Sequence, residues 1–276
     1  MQKNLKTIIY YGVLSIFLFL SGCSSIKFFP HKSSDEPKDS LHIYLLIGQS
    51  NMAGRALFTE DDSHPIQRCY LLNDVDEWED AKNPLNKYST IRKELSMQKL
   101  NPGYTFAKAM LKQDDSITIG LIVNARGGTK IEQWGKDTLF YVEALRRVRA
   151  AQKSGTLKGI LWHQGEGNAK NPITYLNDLK VLVSNIRTDL GDLNLPFIAG
   201  QVYYHPVEKP HTKKLNEEIK KLSSELPFVG YVSSGTLTTH DNTHFDTKGM
   251  KLLGKRYAIE MRKVQALIKT PQKDAE

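Results

Sequence analysis

The chain predicts an α/β fold: one domain built on a central parallel sheet with helices on both faces. Three features lead there. Apolar runs of strand length alternate with helical periodicities along residues 41–270. The runs are near-continuous rather than every second residue, as expected of strands covered on both sides. Polar clusters stand directly behind several of them, at the edge where parallel sheets bind ligands.

In chain order, the first strand is expected over 42–47, where Ile43-Tyr44-Leu45-Leu46-Ile47 runs into Gly48-Gln49-Ser50-Asn51. A helix starting there would turn its free N–H groups and positive dipole end toward a forming oxyanion. Residues 59–100 are the least regular stretch and read as an insertion shaping the site. A helical stripe over 104–112 precedes the second strand, 117–123, which ends in Asn124-Ala125-Arg126-Gly127-Gly128-Thr129. A helix over 139–152 leads to the third strand, 159–162, and to His163-Gln164-Gly165-Glu166. Helix 173–190, strand 197–202, helix 211–225 and strand 228–232 continue the alternation. The cluster His240-Asp241-Asn242-Thr243-His244-Phe245 then precedes a last helix over 248–268, and 271–276 form a polar tail.

The first 40 residues read as an address rather than a fold. Lys3 and Lys6 precede an apolar run from Ile8 to Leu20 that is too short and wrongly flanked for a spanning helix. Leu20-Ser21-Gly22-Cys23 then matches the bacterial lipobox. Residues 1–22 are therefore expected to be a lipoprotein signal peptide, with Cys23 lipidated and 23–40 a polar tether. A flexible tether of that length spans roughly 20–25 Å, and several acyl chains on one residue anchor stably where one chain does not. The expected location is the bacterial cell envelope, lipid-anchored at the outer membrane, with Ser24 after the cysteine compatible with export there. Cys69 is left unpaired, as a structural or buried thiol.

The net charge of +8 is dispersed through the expected helices and interleaved with Asp and Glu. That pattern describes a solvated surface and argues against a nucleic-acid partner. Histidines and carboxylates do not fall at zinc-ligand spacings, and no phosphate-cradling loop occurs, so neither metal nor cofactor is expected.

The polar clusters supply what acyl transfer needs: a nucleophile, a base, a group to orient the base, and oxyanion donors. Ser50 is the candidate nucleophile and His244 the candidate base. Asp241, three residues earlier, can reach the Nδ1–H of His244 in a tight turn. The N–H groups of Ser50 and Gly127 and the side-chain amide of Gln164 are candidate oxyanion donors. Gln49, Asn51, Arg126 and Gly128 are placed along the substrate-binding wall. Arg55 and Trp134 stand near it, each with a structural role as its other reading. Ser50 alone reads equally as a helix N-cap. His240 is the runner-up base, and His163 reads as a packed or hydrogen-bonded group. Tyr203, Tyr204 and His205 offer a sugar-stacking surface behind the fourth strand.

Gly48-Gln49-Ser50-Asn51-Met52-Ala53-Gly54 departs from the Gly-x-Ser-x-Gly elbow of α/β-hydrolases. With Arg126-Gly127-Gly128-Thr129, Trp162-His163-Gln164-Gly165-Glu166 and Asp241-x-x-His244-Phe245, it resembles the SGNH hydrolase superfamily. Within that superfamily the blocks are similar to the branch holding sialate O-acetylesterase and the acetyl xylan esterases of carbohydrate esterase family 6. The resemblance runs from Leu41 to the last helix with the blocks in order. It implies a flavodoxin-like three-layer α/β/α sandwich, metal-independent deacetylation of sugar hydroxyls, and a serine–histidine–acid mechanism. Block by block, Ser50 takes the nucleophile's place, His244 the base's and Gly127 the oxyanion glycine's. Gln164 stands where the wider superfamily has asparagine. The acid is Asp241 or, alternatively, Glu166. The expected partner is an acetylated glycan, acetyl xylan or a related one, with sialate or peptidoglycan O-acetyl esters as alternatives. A catalytically idle glycan-binding lipoprotein is the rival outside the enzymes.

Overall fold

The unbroken apolar run 43–47 belongs to β1 (Leu41–Gly48), which lies inside a seven-stranded sheet with neighbours on both sides. Ile43, Leu45 and Ile47 feed one core and Tyr44 and Leu46 the other, so both faces of this run are buried. The computed structural model describes residues 40–269. The expected signal peptide, Cys23, the tether through residue 39 and the tail 271–276 lie outside the described residues.

Along the chain β1 is followed by a single helical turn, α1 (Ser50–Ala53), and by two short strands, β2 (Cys69–Leu72) and β3 (Trp78–Asp80). Then come α2 (Gly103–Leu111), β4 (Thr118–Ala125), α3 (Leu139–Ala151), β5 (Thr156–His163), α4 (Tyr175–Leu190), β6 (Phe197–Gly200), α5 (Thr212–Glu225), β7 (Val229–Val232) and α6 (Thr247–Lys269). The sheet order is β3-β2-β4-β1-β5-β6-β7, parallel except for the β2–β3 pair. Helices α2 and α6 cover one face, and α3, α4 and α5 cover the other. The three-layer α/β/α expectation holds, and the five expected strands are all present. Taken alone, they lie in the order 2-1-3-4-5 of the flavodoxin-type winding.

Two local expectations change. The edge pair β2–β3 lies in the irregular stretch 59–100; strands of four and three residues are too short to show a periodicity. The helix behind β1 is four residues long. One turn aligns too few peptide dipoles to act as a charged end, so any help to an oxyanion there must come from individual N–H groups.

The winding positions the site. From β1 the chain crosses outward to β4 and returns past β1 to β5, so the reversal of strand order falls at the carboxyl end of β1. Register brings three strand ends level, because Gly48 pairs with Ala125 on one side and with His163 on the other. The loops leaving those residues therefore start side by side. Gly48 has φ +135, and a Cβ there would lie 2.2 Å from the His163 carbonyl oxygen, so only glycine fits.

Candidate active site

Ser50 is the first residue of α1 and 6% exposed, directly beyond the Gly48 turn. Gln49 N–H donates to His163 O at 2.8 Å and Arg126 N–H donates to Gly48 O at 3.0 Å, tying the three loops together. The irregular insertion also grips this edge. Asn86 pairs with both backbone groups of Ala125, and Thr90 N–H donates to Asn124 Oδ1.

His244 reaches the same edge from a small hairpin between β7 and α6. Thr239 bridges Phe245, and His240 N–H donates to His244 O. The turn is set by Asp241, whose Oδ1 accepts the N–H groups of Thr243 at 3.0 Å and His244 at 2.7 Å, with Asn242 at φ +58. This Asx turn swings the ring back over its own carboxylate. The His244 Nδ1–H donates to Asp241 Oδ2 at 2.6 Å, which leaves Nε2 as the acceptor for the Ser50 hydroxyl at 2.9 Å. Partial burial works against ionisation of Asp241. The donors from the His244 backbone, the His244 ring and Thr243 overcome it and hold the carboxyl below its ordinary range. Ser50, His244 and Asp241 thus form one hydrogen-bonded line across 194 residues of sequence.

Asn51 is fully buried and fixes this loop against the nucleophile. Its Oδ1 accepts the N–H of Phe245 at 3.1 Å, and its Nδ2 donates to Thr243 O at 3.2 Å, gripping the main chain on both sides of His244. The other hydrogen of Nδ2 goes to Glu166 Oε1 at 2.8 Å. Burial pushes Glu166 up to about 7 against its own backbone N–H, the Asn51 bond and Lys209, and its Oε2 is shut off from solvent with no side-chain partner among the described residues. Among the described residues no hydrogen bond joins Glu166 to His244. Glu166 lines a cavity of about 30 Å³ with Tyr203, Lys209, His211 and Thr243, room for about one water. Tyr204 and His205 do not line that cavity.

Among the described residues the N–H groups of Ser50 and Gly127 have no acceptor, and the two residues stand just beyond the adjoining ends of β1 and β4. Gln164 differs from expectation. Its NH2 group, with two hydrogens, faces Thr129 O and Asn168 Oδ1 at 2.9 Å and Gln49 Oε1 at 3.2 Å. The side chain is completely buried, so no N–H remains for a substrate oxyanion. It braces the Gly127–Thr129 loop instead. Three residues placed at the substrate wall are likewise engaged within the protein. Gln49 Oε1 accepts from Gln164, Gly165 and Gly167, and Asn51 is the clip just described. Arg126 Nη1 donates to Ile91 O and Arg92 O, with its guanidinium over the Phe140 ring. Gly128 stands at φ +77, a turn position that favours glycine.

His240 stacks on His244 with centroids 5.9 Å apart and its Nε2 is 3.8 Å from Asp241 Oδ2. The ligand atoms of His240, Asp241 and His244 lie within 4.8 Å of one another, a grouping that sequence spacing did not reveal. A metal there would have to displace the His244–Asp241 bond. His163 is fully buried, accepts or donates to Tyr257 Oη at 3.1 Å, and is pushed by burial down to about 3, so it stays neutral. Trp134 packs edge-on against Trp162 in the core and donates to Thr129 Oγ1. Cys69 on β2 is free and buried, and burial pushes its thiol up, so it stays protonated.

A 2-1-3-4-5 parallel core carrying these blocks at its carboxyl edge is the fold of the SGNH hydrolases, and the protein is a carboxylic ester hydrolase of that class. Residues 40–263 match the family described as carbohydrate esterase, sialic acid-specific acetylesterase, and the chain belongs to that family. A probable carbohydrate esterase of Arabidopsis thaliana is 28% identical over 237 residues, covering 77% of this chain and 86% of that protein. Its crystal structure superposes with a TM-score of 0.73 at 27% identity, over 82% of this chain and 98% of that one. Two more distant structures share the fold. A carbohydrate acetylesterase from Xanthomonas citri gives a TM-score of 0.63 at 19% identity, over 82% of this chain and 57% of its own. NanS gives 0.66 at 14% identity, over 84% and 99%.

Proposed function

We propose that this protein is a serine esterase that removes O-acetyl groups from a carbohydrate, acetyl xylan or a related glycan, through an acetyl-Ser50 intermediate. The observation that carries the reading is the Ser50–His244–Asp241 line, with bonds of 2.9 and 2.6 Å. Asp241 fixes the tautomer in which Nε2 is free to take a proton. As the Ser50 oxygen attacks the acetyl carbonyl, its proton passes to Nε2, and the carbonyl electron pair moves onto oxygen between the Ser50 and Gly127 N–H groups. Collapse of the tetrahedral intermediate breaks the bond to the sugar oxygen, which takes the proton from His244. Water then gives a proton to Nε2 and attacks the acetyl group, and a second collapse releases acetate and returns the hydrogen to Ser50. Asp241 stays ionised throughout.

The test is acetate release from acetylated xylan and from p-nitrophenyl acetate by the Ser50→Ala variant. We expect no turnover above the uncatalysed rate, and unchanged turnover would sink the assignment. The same assay across mannan, sialic acid and peptidoglycan esters ranks the glycans. Membrane attachment through Cys23 belongs to the same reading. It predicts that Cys23→Ser moves the protein from the membrane to the soluble fraction of the cell envelope, with activity kept.

A further inference from the structure

With Gln164 engaged elsewhere, the oxyanion has two backbone donors, and a charged third stands next to them. Arg55 follows α1 by two residues and so is carried by the same turn as the nucleophile. Its Nη1 donates to Gly54 O at 2.7 Å and to Met97 O at 3.0 Å, which locks the guanidinium plane. Its Nη2 has no acceptor among the described residues, and no carboxylate pairs with it there. A Cβ added to Gly127 would lie 2.7 Å from that Nη2 and 3.4 Å from the Ser50 Cβ. The free guanidinium arm, the glycine and the serine therefore surround one spot, and the glycine's lack of a side chain is what lets the arm approach. Burial lowers the Arg55 pKa, the mark of a guanidinium partly stripped of water, and no carboxylate among the described residues compensates its charge. A fixed, desolvated donor beside a developing negative charge needs no reorganisation when the reaction occurs.

On the serine-esterase reading, we infer that Arg55 is a further catalytic residue: its Nη2–H donates to the ester's carbonyl oxygen as that oxygen becomes an oxyanion, beside the N–H groups of Ser50 and Gly127. The Nη1 contacts to Gly54 and Met97 are structural and within reach of a lysine. The second arm is not, because an ammonium on those two carbonyls leaves nothing over Gly127.

The experiment compares Arg55→Lys and Arg55→Ala with the parent chain on p-nitrophenyl acetate, which carries no sugar, and on acetylated xylan. Loss of one such donor is expected to lower kcat roughly 10²–10³-fold on both substrates, with KM nearly unchanged. Added guanidinium ion should restore at least tenfold of the loss in Arg55→Ala, a response that repair of a merely structural contact would not give. Arg55→Lys keeps the carbonyl contacts and holds the inference testable if Arg55→Ala does not fold. A folded Arg55→Lys with parental kcat overturns the inference. So does a loss confined to KM on glycans bearing a carboxylate, which would make Arg55 an anion-binding residue. Ser50→Ala, run alongside, separates the two claims. Turnover by that variant defeats the serine-esterase reading itself, whereas a silent Ser50→Ala with a fully active Arg55→Lys defeats only the role of Arg55.

Discussion

Glu166 Oε1 accepts a hydrogen bond from Asn51 Nδ2 at 2.8 Å, and through Asn51 it bears on the loop of His244 rather than on the histidine ring. Two carboxylates compete on sequence grounds for the acid's role. Only Asp241 touches Nδ1, and the buried one holds the side chain that holds the loop.

Exchange of the two acids should therefore give unequal losses. Asp241→Asn presents an amide to Nδ1 and favours the wrong tautomer, so kcat is expected to fall roughly 10³–10⁴-fold. Glu166→Gln retains an acceptor for Asn51 and should cost less than about tenfold. Steady-state acetate release measures both, and the reverse ranking would hand the acid's role to Glu166.

Asn51→Ala removes the two hydrogen bonds that seat the main chain around His244, and the one to Glu166. Misplacement of the base by about 1 Å can cost on the order of 10²-fold. We expect that loss in kcat, with a lowered Tm, and a much smaller change in KM. An enzyme with normal kcat would mean that the hairpin is positioned by other contacts.

The stability of the protein should carry the signature of Glu166. Its carboxyl titrates near 7 in the folded chain instead of at the ordinary 4.5. Between those values the folded state holds a proton that the unfolded state has lost, so this group's contribution is fully present below about 4.5 and fades as pH rises through 7. Glu166→Gln cannot ionise. Its Tm relative to the parent should climb from pH 5 to pH 8 in thermal melts; a constant difference would show that the carboxyl is not desolvated.

Asp241 has the opposite sign. Its folded pKa is depressed, so its contribution is present above the ordinary carboxylate range and lost as pH falls through the lowered value. The side chain is 44% exposed, and solvent weakens the effect. Below pH 4 the parent should lose Tm slightly faster than Asp241→Asn does, and identical acid limbs would remove the carboxylate's preference for its donors.

Gly48→Ala tests the junction of three loops. A Cβ 2.2 Å from His163 O cannot be accommodated by a side-chain shift, and φ +135 is itself strained for alanine. Destabilisation of at least about 1–3 kcal/mol is expected from denaturant titration. A variant as stable as the parent would mean that the β1–β5 edge yields without cost.

Much of this was readable from residue order alone. The apolar runs of β1, β4 and β5 report burial on both faces, and amphipathic stripes mark α2 to α6, because each element's pattern is local. Ser50, His244 and Asp241 could be singled out since each stands at a strand exit or in a turn, with a spacing that an Asx turn can close. What the linear order could not tell is how side chains share hydrogen-bond partners after folding. The pairing of Gly48 with both Ala125 and His163 brings Gln49, Gln164, Gly165 and Gly167 together. That spends the Gln164 amide inside the protein, and it leaves an Arg55 arm free over Gly127. A polar group's use depends on every acceptor within reach, and for Gln164 those acceptors stand 4, 35 and 115 residues away in sequence. Chemistry of residue types is written in the chain; which of their atoms remain available is decided only by tertiary packing.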